Sequence, residues 1–379
     1  LQESIARNDN RSVTRSRLLL DEDLAVRGAD LARVYSDLGY DQRALFEGYA
    51  AVTADPGEAA GHRFLADAYR SLPNHEVARA SELLQAQLLS PLNTSPLQPA
   101  ASETDLQLLA GTTAGSAALN EYTPLFVRDR VGVQGSVLAG EHDPCVNEAV
   151  GTAPGGPGVV SGGFLHYETD GFRENQDQTR DLQNVFGQVR LDPALSVQAE
   201  FRHSDAEFGD LEQRFDPDNF STTERTETDT SSMRIGARYS PATQHQTLAS
   251  VIFSDTDEAV AEGPVAFDFN SSGYLAEMQH QWRTEVLSLI AGGGYSSVDK
   301  DLTTAITLPP PLPSSTASEH DDVYHANGYL YANLRLPMPV LWTLGLAVES
   351  AQGGLRDRER VNPKAGVTWQ ITSDTTLRA

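Results

Sequence analysis

Between Leu182 and Asp205 the chain reads LQNVFGQVRLDPALSVQAEFRHSD, a two-residue alternation interrupted only at Asp192-Pro193. Val185, Gly187, Val189 and Leu191 share one side of the first half, and Leu195, Val197, Ala199 and Phe201 share one side of the second. Neither set carries a charge. The opposite sides hold Asn184, Gln188 and Arg190, then Ser196, Gln198, Glu200 and Arg202. A period of two sends successive side chains to opposite faces of a strand, so the stretch predicts a β-hairpin with one apolar and one strongly polar face. The apolar face must meet either a protein core or lipid, and alternation by itself does not choose.

Followed to the C-terminus, the pattern predicts thirteen strands, at 130–141, 147–153, 159–169, 181–191, 194–204, 229–239, 245–255, 271–282, 285–297, 321–336, 340–350, 362–371 and 375–379. Three features of this set favour lipid. Short turns at 154–158, 192–193, 240–244, 283–284, 337–339 and 372–374 alternate with longer links at 170–180, 205–228, 256–270, 298–320 and 351–361. That sorting belongs to outer-membrane barrels, with short periplasmic turns and long external loops. Tyr239, Trp282, Trp342 and Trp369 fall on the uncharged parity beside short turns, where rings with an apolar body and a polar tip mark a membrane boundary. The uncharged parity also persists through Met233 and Ile235, Tyr274 and Met278, Leu330 and Leu334, Leu344 and Leu346, and Val367 and Ile371. His280 is its exception. No run of about eighteen apolar residues occurs, which excludes a helical membrane span and leaves a barrel untouched.

From about Arg15 to Pro91 the period changes to 3.6, which predicts helices. Leu31, Ala32, Tyr35, Leu38 and Ala44 recur as Leu65, Ala66, Tyr69, Leu72 and Ala78, each 34 residues later, and Pro56 is answered by Pro91. Gly39 suits a tight turn and Ala44 a close helix crossing. With DLGYDQRAL followed by TADP, residues 29–91 resemble nearly two tetratricopeptide units, which implies a scaffold that binds a protein partner in its groove. Residues 92–128, rich in Ser, Thr, Pro and small residues, read as a linker. The expected fold is therefore α + β multidomain: helical tetratricopeptide-like repeats over 1–91, the linker, and an antiparallel transmembrane β-barrel over 129–379. Leu1 is not a methionine and Arg378-Ala379 lie within a strand pattern, so the sequence reads as a fragment open at both ends.

A net charge of −25, from 53 acidic and 28 basic side chains, argues against nucleic acid as a partner, because phosphate contacts need clustered Lys and Arg. The lone Cys145 offers neither an internal disulfide nor a metal framework. The face opposite the apolar one places Arg190, Arg202, Arg234, Arg238, Arg283 and Arg335 toward a lumen, with Glu200, Glu277 and Glu349 as counter-charges. These arginines either pair with the glutamates and fill the barrel or ring its short-turn mouth and draw anions. Residues 205–228 hold eight carboxylates and two arginines, a solvated face or a site for cations shared with lipopolysaccharide. Gly292, Gly293 and Gly294 read as a bend within a strand. His320, Asp321, Asp322 and His325 lie close together, but no nucleophile elbow, zinc helix or phosphate loop accompanies them. No enzyme and no cofactor is expected.

A helical repeat unit followed by a barrel resembles the exopolysaccharide export porins. The ending NPKAGVTWQITSDTTLRA is similar to strands of TonB-dependent receptors. The first resemblance implies a conduit in the outer membrane of a Gram-negative bacterium, with its helical scaffold in the periplasm, passing a polymer or solute. The second implies uptake, with a plug and a TonB-interacting segment upstream of Leu1. A non-conducting display or adhesion barrel is the third reading. Outer-membrane lipid, lipopolysaccharide and a periplasmic protein are the expected partners.

Overall fold

The computed structural model describes residues 17–38, 40–70, 82, 85–86, 88–89, 131–139, 145–211, 218–309, 311–336, 339–353, 357–372 and 375–378. The chain divides into two compact units, one holding the helices together with 148–163 and 186–190, the other 136–147, 164–185 and 191–379. Of the repeat positions, Gly39, Leu72, Ala78 and Pro91 lie outside the described residues, as does the linker at 92–128.

The 3.6 period of the N-terminal part folds as helices, among them α1 (Arg17–Asp37), α2 (Asp41–Ala54) and α3 (Ala59–Arg70). Ala29 and Ala32 of α1, Ala44 and Ala51 of α2, and Phe64 and Leu65 of α3 make the core, with Tyr35 and Tyr69 packed against it. Small residues set the helix spacing: a Cβ on Gly48 would meet the Phe64 ring at 2.7 Å and Leu65 at 2.9 Å. Pro56 follows the end of α2, and the Asp55 carboxylate accepts the Gly57 N–H at 2.8 Å, which turns the chain into α3. Leu38, one of the repeat positions, is exposed. None of the described helices is long and apolar enough to cross a membrane.

His62 of α3 is buried between two acceptors, the Glu82 carboxylate at 2.5 Å from Nδ1 and the Pro56 carbonyl at 3.1 Å from Nε2. A neutral imidazole has one N–H, so only the doubly protonated ring donates to both. Burial pushes the ring's pKa down, but the charge and hydrogen bond of Glu82, the Pro56 carbonyl and Asp55 outweigh it, and the net direction is up from 6.5. A raised folded-state value stabilises the unit fully below the ordinary histidine range and is lost as pH rises through that raised value. Amides of α3 should therefore exchange with deuterium more slowly at about pH 5.5 than at about pH 8.5, after correction for intrinsic rates. His62→Ala should abolish the difference.

The second part is a thirteen-stranded antiparallel meander in which every strand neighbours the next in sequence. It runs β1 (Gly132–Ala139), β2 (Cys145–Gly155), β3 (Gly158–Thr169), β4 (Gln178–Asp192), β5 (Leu195–Phe208), β6 (Arg225–Ala242), β7 (His245–Glu262), β8 (Val265–Arg283), β9 (Leu287–Ile306), β10 (Ser315–Leu334), β11 (Val340–Gln352), β12 (Arg358–Thr372) and β13 (Thr375–Arg378). The hairpin of 182–205 closes where expected: Asp192 Oδ1 accepts the N–H groups of Ala194 and Leu195 at 2.6 and 2.9 Å. Thirteen strands were expected and thirteen form, but their far ends were misplaced.

The link expected at 256–270 is a continuous ladder from His245↔Trp282 to Glu262↔Val265, closed by Gly263-Pro264 alone. Gly263 has φ +56, the left-handed conformation that a two-residue hairpin turn demands at its first position and glycine adopts without strain. The loops at 298–320 and 351–361 likewise contract to 307–314 and 353–357. On β8 the outward parity changes from Met278, Ala276 and Tyr274 to Ser272, Asn270 and Asp268, whose partners on β7 are Asp255, Asp257 and Ala259. Beyond Tyr274 both faces meet water, so the alternation fades while the hydrogen bonds continue. The strands β8 to β10 have 19 to 20 residues, against about 9–11 for a bilayer crossing, and the surplus stands clear of the apolar band.

From Trp282 to Tyr274 that band spans ~27 Å along the strand, which a tilt of about 40° reduces to roughly the height of a lipid-facing belt. Phe253 and Tyr274, 6.4 Å apart, and Tyr295, 6.0 Å from Tyr274, form a second aromatic row opposite the tryptophans. Met278 lies within the band and is 59% exposed. Met278→Arg should cost about 2–4 kcal/mol in urea-induced unfolding from liposomes, and Met278→Leu should leave the midpoint unchanged.

Candidate functional site

The polar face is built by register. Glu200 of β5 pairs directly with Arg234 of β6, and Arg234 Nη2 stands 2.6 Å from Glu200 Oε2, with both side chains at most 4% exposed. Arg202, two residues along the same strand, donates to Glu200 Oε1 at 3.2 Å. One carboxylate thus sits between two guanidinium groups in a desolvated place, where charges persist only when paired. Four strands on from β6, Tyr329 of β10 lies across Gly292 of β9 and donates to Gln279 of β8 at 2.8 Å. A Cβ on Gly292 would stand 2.5 Å from the Tyr329 hydroxyl. Gly292 is therefore a lane for a tyrosine, and β9 continues through the glycine run in unbroken register with both neighbours.

The other expected inward residues are spread along the sheet. Arg238 donates to Gln246 at 3.3 Å, and Arg283 and Glu277 are half-buried on β8. Glu349 is exposed and accepts from Asn362 at 3.4 Å. Arg190 is exposed at the short-turn end, its N–H on the Pro157 carbonyl. Arg335 was expected within a strand; β10 ends one residue earlier, and Arg335 is exposed in the connection, its N–H on the Val286 carbonyl. On the opposite face Tyr239, Trp342 and Trp369 are exposed and Trp282 is half-buried. Their ladder partners are Thr247, Leu334, Val340 and His245 respectively.

At the long-loop end a cluster forms that the amino-acid pattern did not reveal. Asp210 is fully buried; its Oδ2 accepts the Ser221 N–H at 2.7 Å and its Oδ1 faces Arg173 Nη2 at 3.3 Å. Arg173 lies over the Phe220 ring at 5.0 Å. Asn175, at φ 57, donates to the carbonyls of Ser221 and Glu224, each at 2.9 Å. Gly209 fits beside Asn175, whose carbonyl a Cβ would strike. Arg225 closes the block, 2.7 Å from Asp177 and 3.0 Å from Glu207. The described parts of the β3–β4 and β5–β6 connections are therefore clamped to one another. The only signal in the chain was Gly209-Asp210 beside the Gly171 and Asn175 of the preceding connection.

Asp218 is exposed and Glu227 lies in β6 opposite Glu207. His320 is held between Asp301 at 2.8 Å and Asp322 at 3.3 Å, and no metal-binding group of three side chains occurs among the described residues. A cavity of about 550 Å³, lined by residues that include Val197, Ile235, Val251, Ala276 and Met278, opens on the apolar face. It is a surface for lipid chains and has no bearing on the polar chemistry.

An antiparallel meander with an uncharged outer band, aromatic rows at both its edges and charge confined to the other face defines an outer-membrane β-barrel. Residues 153–379 match the family described as "TonB dependent receptor-like, beta-barrel", and the chain belongs to that family. No curated protein sequence matches it. Among solved structures, the copper transporter OprC superposes with TM-score 0.52 at 13% identity over 66% of this chain and 44% of its own. The ferripyoverdine receptor of Pseudomonas aeruginosa gives 0.54 at 11% over 65% and 41%. The ferric yersiniabactin uptake receptor FyuA of Yersinia pestis gives 0.54 at 11% over 66% and 46%. The chain spans less than half the length of these three structures, and at such identities the likeness is one of fold.

Removing the shared carboxylate tests the polar face. Glu200→Ala leaves Arg234 buried without its counter-charge and should cost about 3–5 kcal/mol, read as a lower gel-shift temperature of the folded form. Adding Arg234→Met should restore part of the loss, because a buried apolar pair is tolerated where a lone charge is not.

Proposed function

We propose that this chain contributes barrel wall to an outer-membrane uptake receptor of the TonB-dependent class, taking up a metal chelate. The observation that carries the reading is the family match across 153–379, which covers the meander from β3 to β13. The similar structures support the substrate class, since their names give copper, ferripyoverdine and ferric yersiniabactin. In this reading the polar face with Glu200, Arg202 and Arg234 lines the path, and the clamped connections around Asp210 form part of a rigid rim toward the outside. No catalytic step is assigned.

The uptake reading takes the place of the export conduit, because the family is that of receptors. The helical unit, with its tetratricopeptide-like repeat of Tyr35 and Tyr69, keeps its proposed role as a docking surface for a periplasmic protein, and lipopolysaccharide remains the proposed neighbour of the apolar band.

Uptake of a panel of radiolabelled ferric and cupric chelates by cells expressing the protein, with and without the TonB energy complex, tests the reading. At least one chelate should accumulate only when the complex is intact. Accumulation that persists without it, with a stable open pore in planar bilayers, would return the protein to the class of passive conduits.

A further inference from the structure

His280 is the residue that breaks the uncharged parity of β8, and its surroundings give the imidazole a task. It shares the outward face with Thr247 of β7, its ladder partner, and with His245 and Trp282, which pair one step nearer the short turns. His245 Nδ1 and His280 Nε2 face each other at 3.4 Å. The remaining nitrogen of His280, Nδ1, lies 2.8 Å from Thr247 Oγ1, and the Trp282 indole stacks on His245 at 5.9 Å and 5°.

We propose that His245 and His280 form an exchangeable site for a tetrahedral divalent transition metal at the short-turn boundary of the apolar band. Three observations carry it. A 3.4 Å separation is long for a hydrogen bond between ring nitrogens. It equals the edge of a tetrahedron around Zn²⁺, about 3.3–3.4 Å when both metal–nitrogen bonds are 2.0–2.1 Å, whereas octahedral or square-planar neighbours at such bond lengths stand roughly 2.8–3.0 Å apart. His280 Nδ1, 2.8 Å from the Thr247 hydroxyl, can donate to it in the tautomer that leaves the lone pair on Nε2, the nitrogen that faces His245, and an outer partner of this kind orients most metal-binding histidines. Stacking on Trp282 holds the plane of the second ring.

No group of three His, Cys, Asp or Glu side chains gathers among the described residues, so two coordination positions fall to water. The exposed turn at Thr243-Gln244, immediately before His245, gives the metal an aqueous approach. Both ligands are neutral, so the occupied site places the full charge of the ion level with the tryptophan row. The site faces away from the polar surface assigned to uptake, and its existence does not depend on that assignment.

The test uses the detergent-solubilised protein carrying no polyhistidine tag, titrated with Zn²⁺ alone and then with Co²⁺. One saturable equivalent of Zn²⁺ should bind, and Co²⁺ should show the intense visible bands of a tetrahedral site. His280→Ala and His245→Ala should each remove that equivalent, and Thr247→Val should weaken it by about 10–100-fold. His320→Ala should leave it unchanged. Should His280→Ala fail the gel-shift check for folding, Thr247→Val, which keeps both imidazoles, reports in its place. Absence of saturable Zn²⁺ binding, binding indifferent to Thr247→Val and the histidine variants, or a pale octahedral Co²⁺ spectrum would overturn the site.

Discussion

Within a hydrocarbon layer no water is available to the peptide group, so each backbone N–H and C=O in the crossing segments must find its partner in the protein. The continuous ladder from β5 to β13 meets that demand strand by strand. Everything else about the sheet follows from which solvent lies on each side of it. One face is uncharged because lipid penalises charge, and the other gathers Arg202, Arg234 and Glu200 because there each charge can be answered by another. Where the band ends, at Tyr274 and Tyr324, the same ladder runs on into water, and Asp268, Asp299 and Asp322 appear on the face that was apolar a few residues earlier.

The polar face owes its rigidity to contacts between strands. Glu200 is shared by two guanidinium groups, Tyr329 reaches over Gly292 to Gln279, and Lys364 lies 6.0 Å from the Tyr331 ring. The first ties adjacent strands, and the other two reach across an intervening strand, from β10 to β8 and from β12 to β10. At the rim, Asp210 joins two connections as the ladder joins the strands, its buried carboxylate accepting a backbone N–H from one and facing a guanidinium from the other. A receptor that must present a defined surface to a solute benefits from such a rim, since a preordered contact surface loses less entropy on binding.

The helical unit follows other rules. Its core is alanine-rich, and Gly48 and Ala51 bring the helices close enough for Phe64 and Leu65 to fill the interior. His62 is its one buried titratable ring bonded to two acceptors among the described residues, and it ties α3 to Glu82 and to the Pro56 turn.

Much of the architecture was legible before any coordinates. Alternation is a local property, so strand number and which residues share a face, Glu200 and Arg202 on one and Ala199 and Phe201 on the other, could be read residue by residue. Strand ends could not, because beyond the bilayer both faces are wet and the two-residue signal vanishes although pairing continues; hence Gly263-Pro264 was hidden inside an apparent loop. The resemblance of the last strands to TonB-dependent receptors named the family correctly, and the export-porin resemblance rested on domain order alone. What the amino-acid order determined by itself is the solvent each side chain prefers, since that depends only on the residue and its position in a short period. What only the tertiary structure decided is which distant residues meet, Asp210 with Arg173, Tyr329 with Gln279, His245 with His280, because register between strands is set by the whole sheet and by its turns, and no single segment contains it.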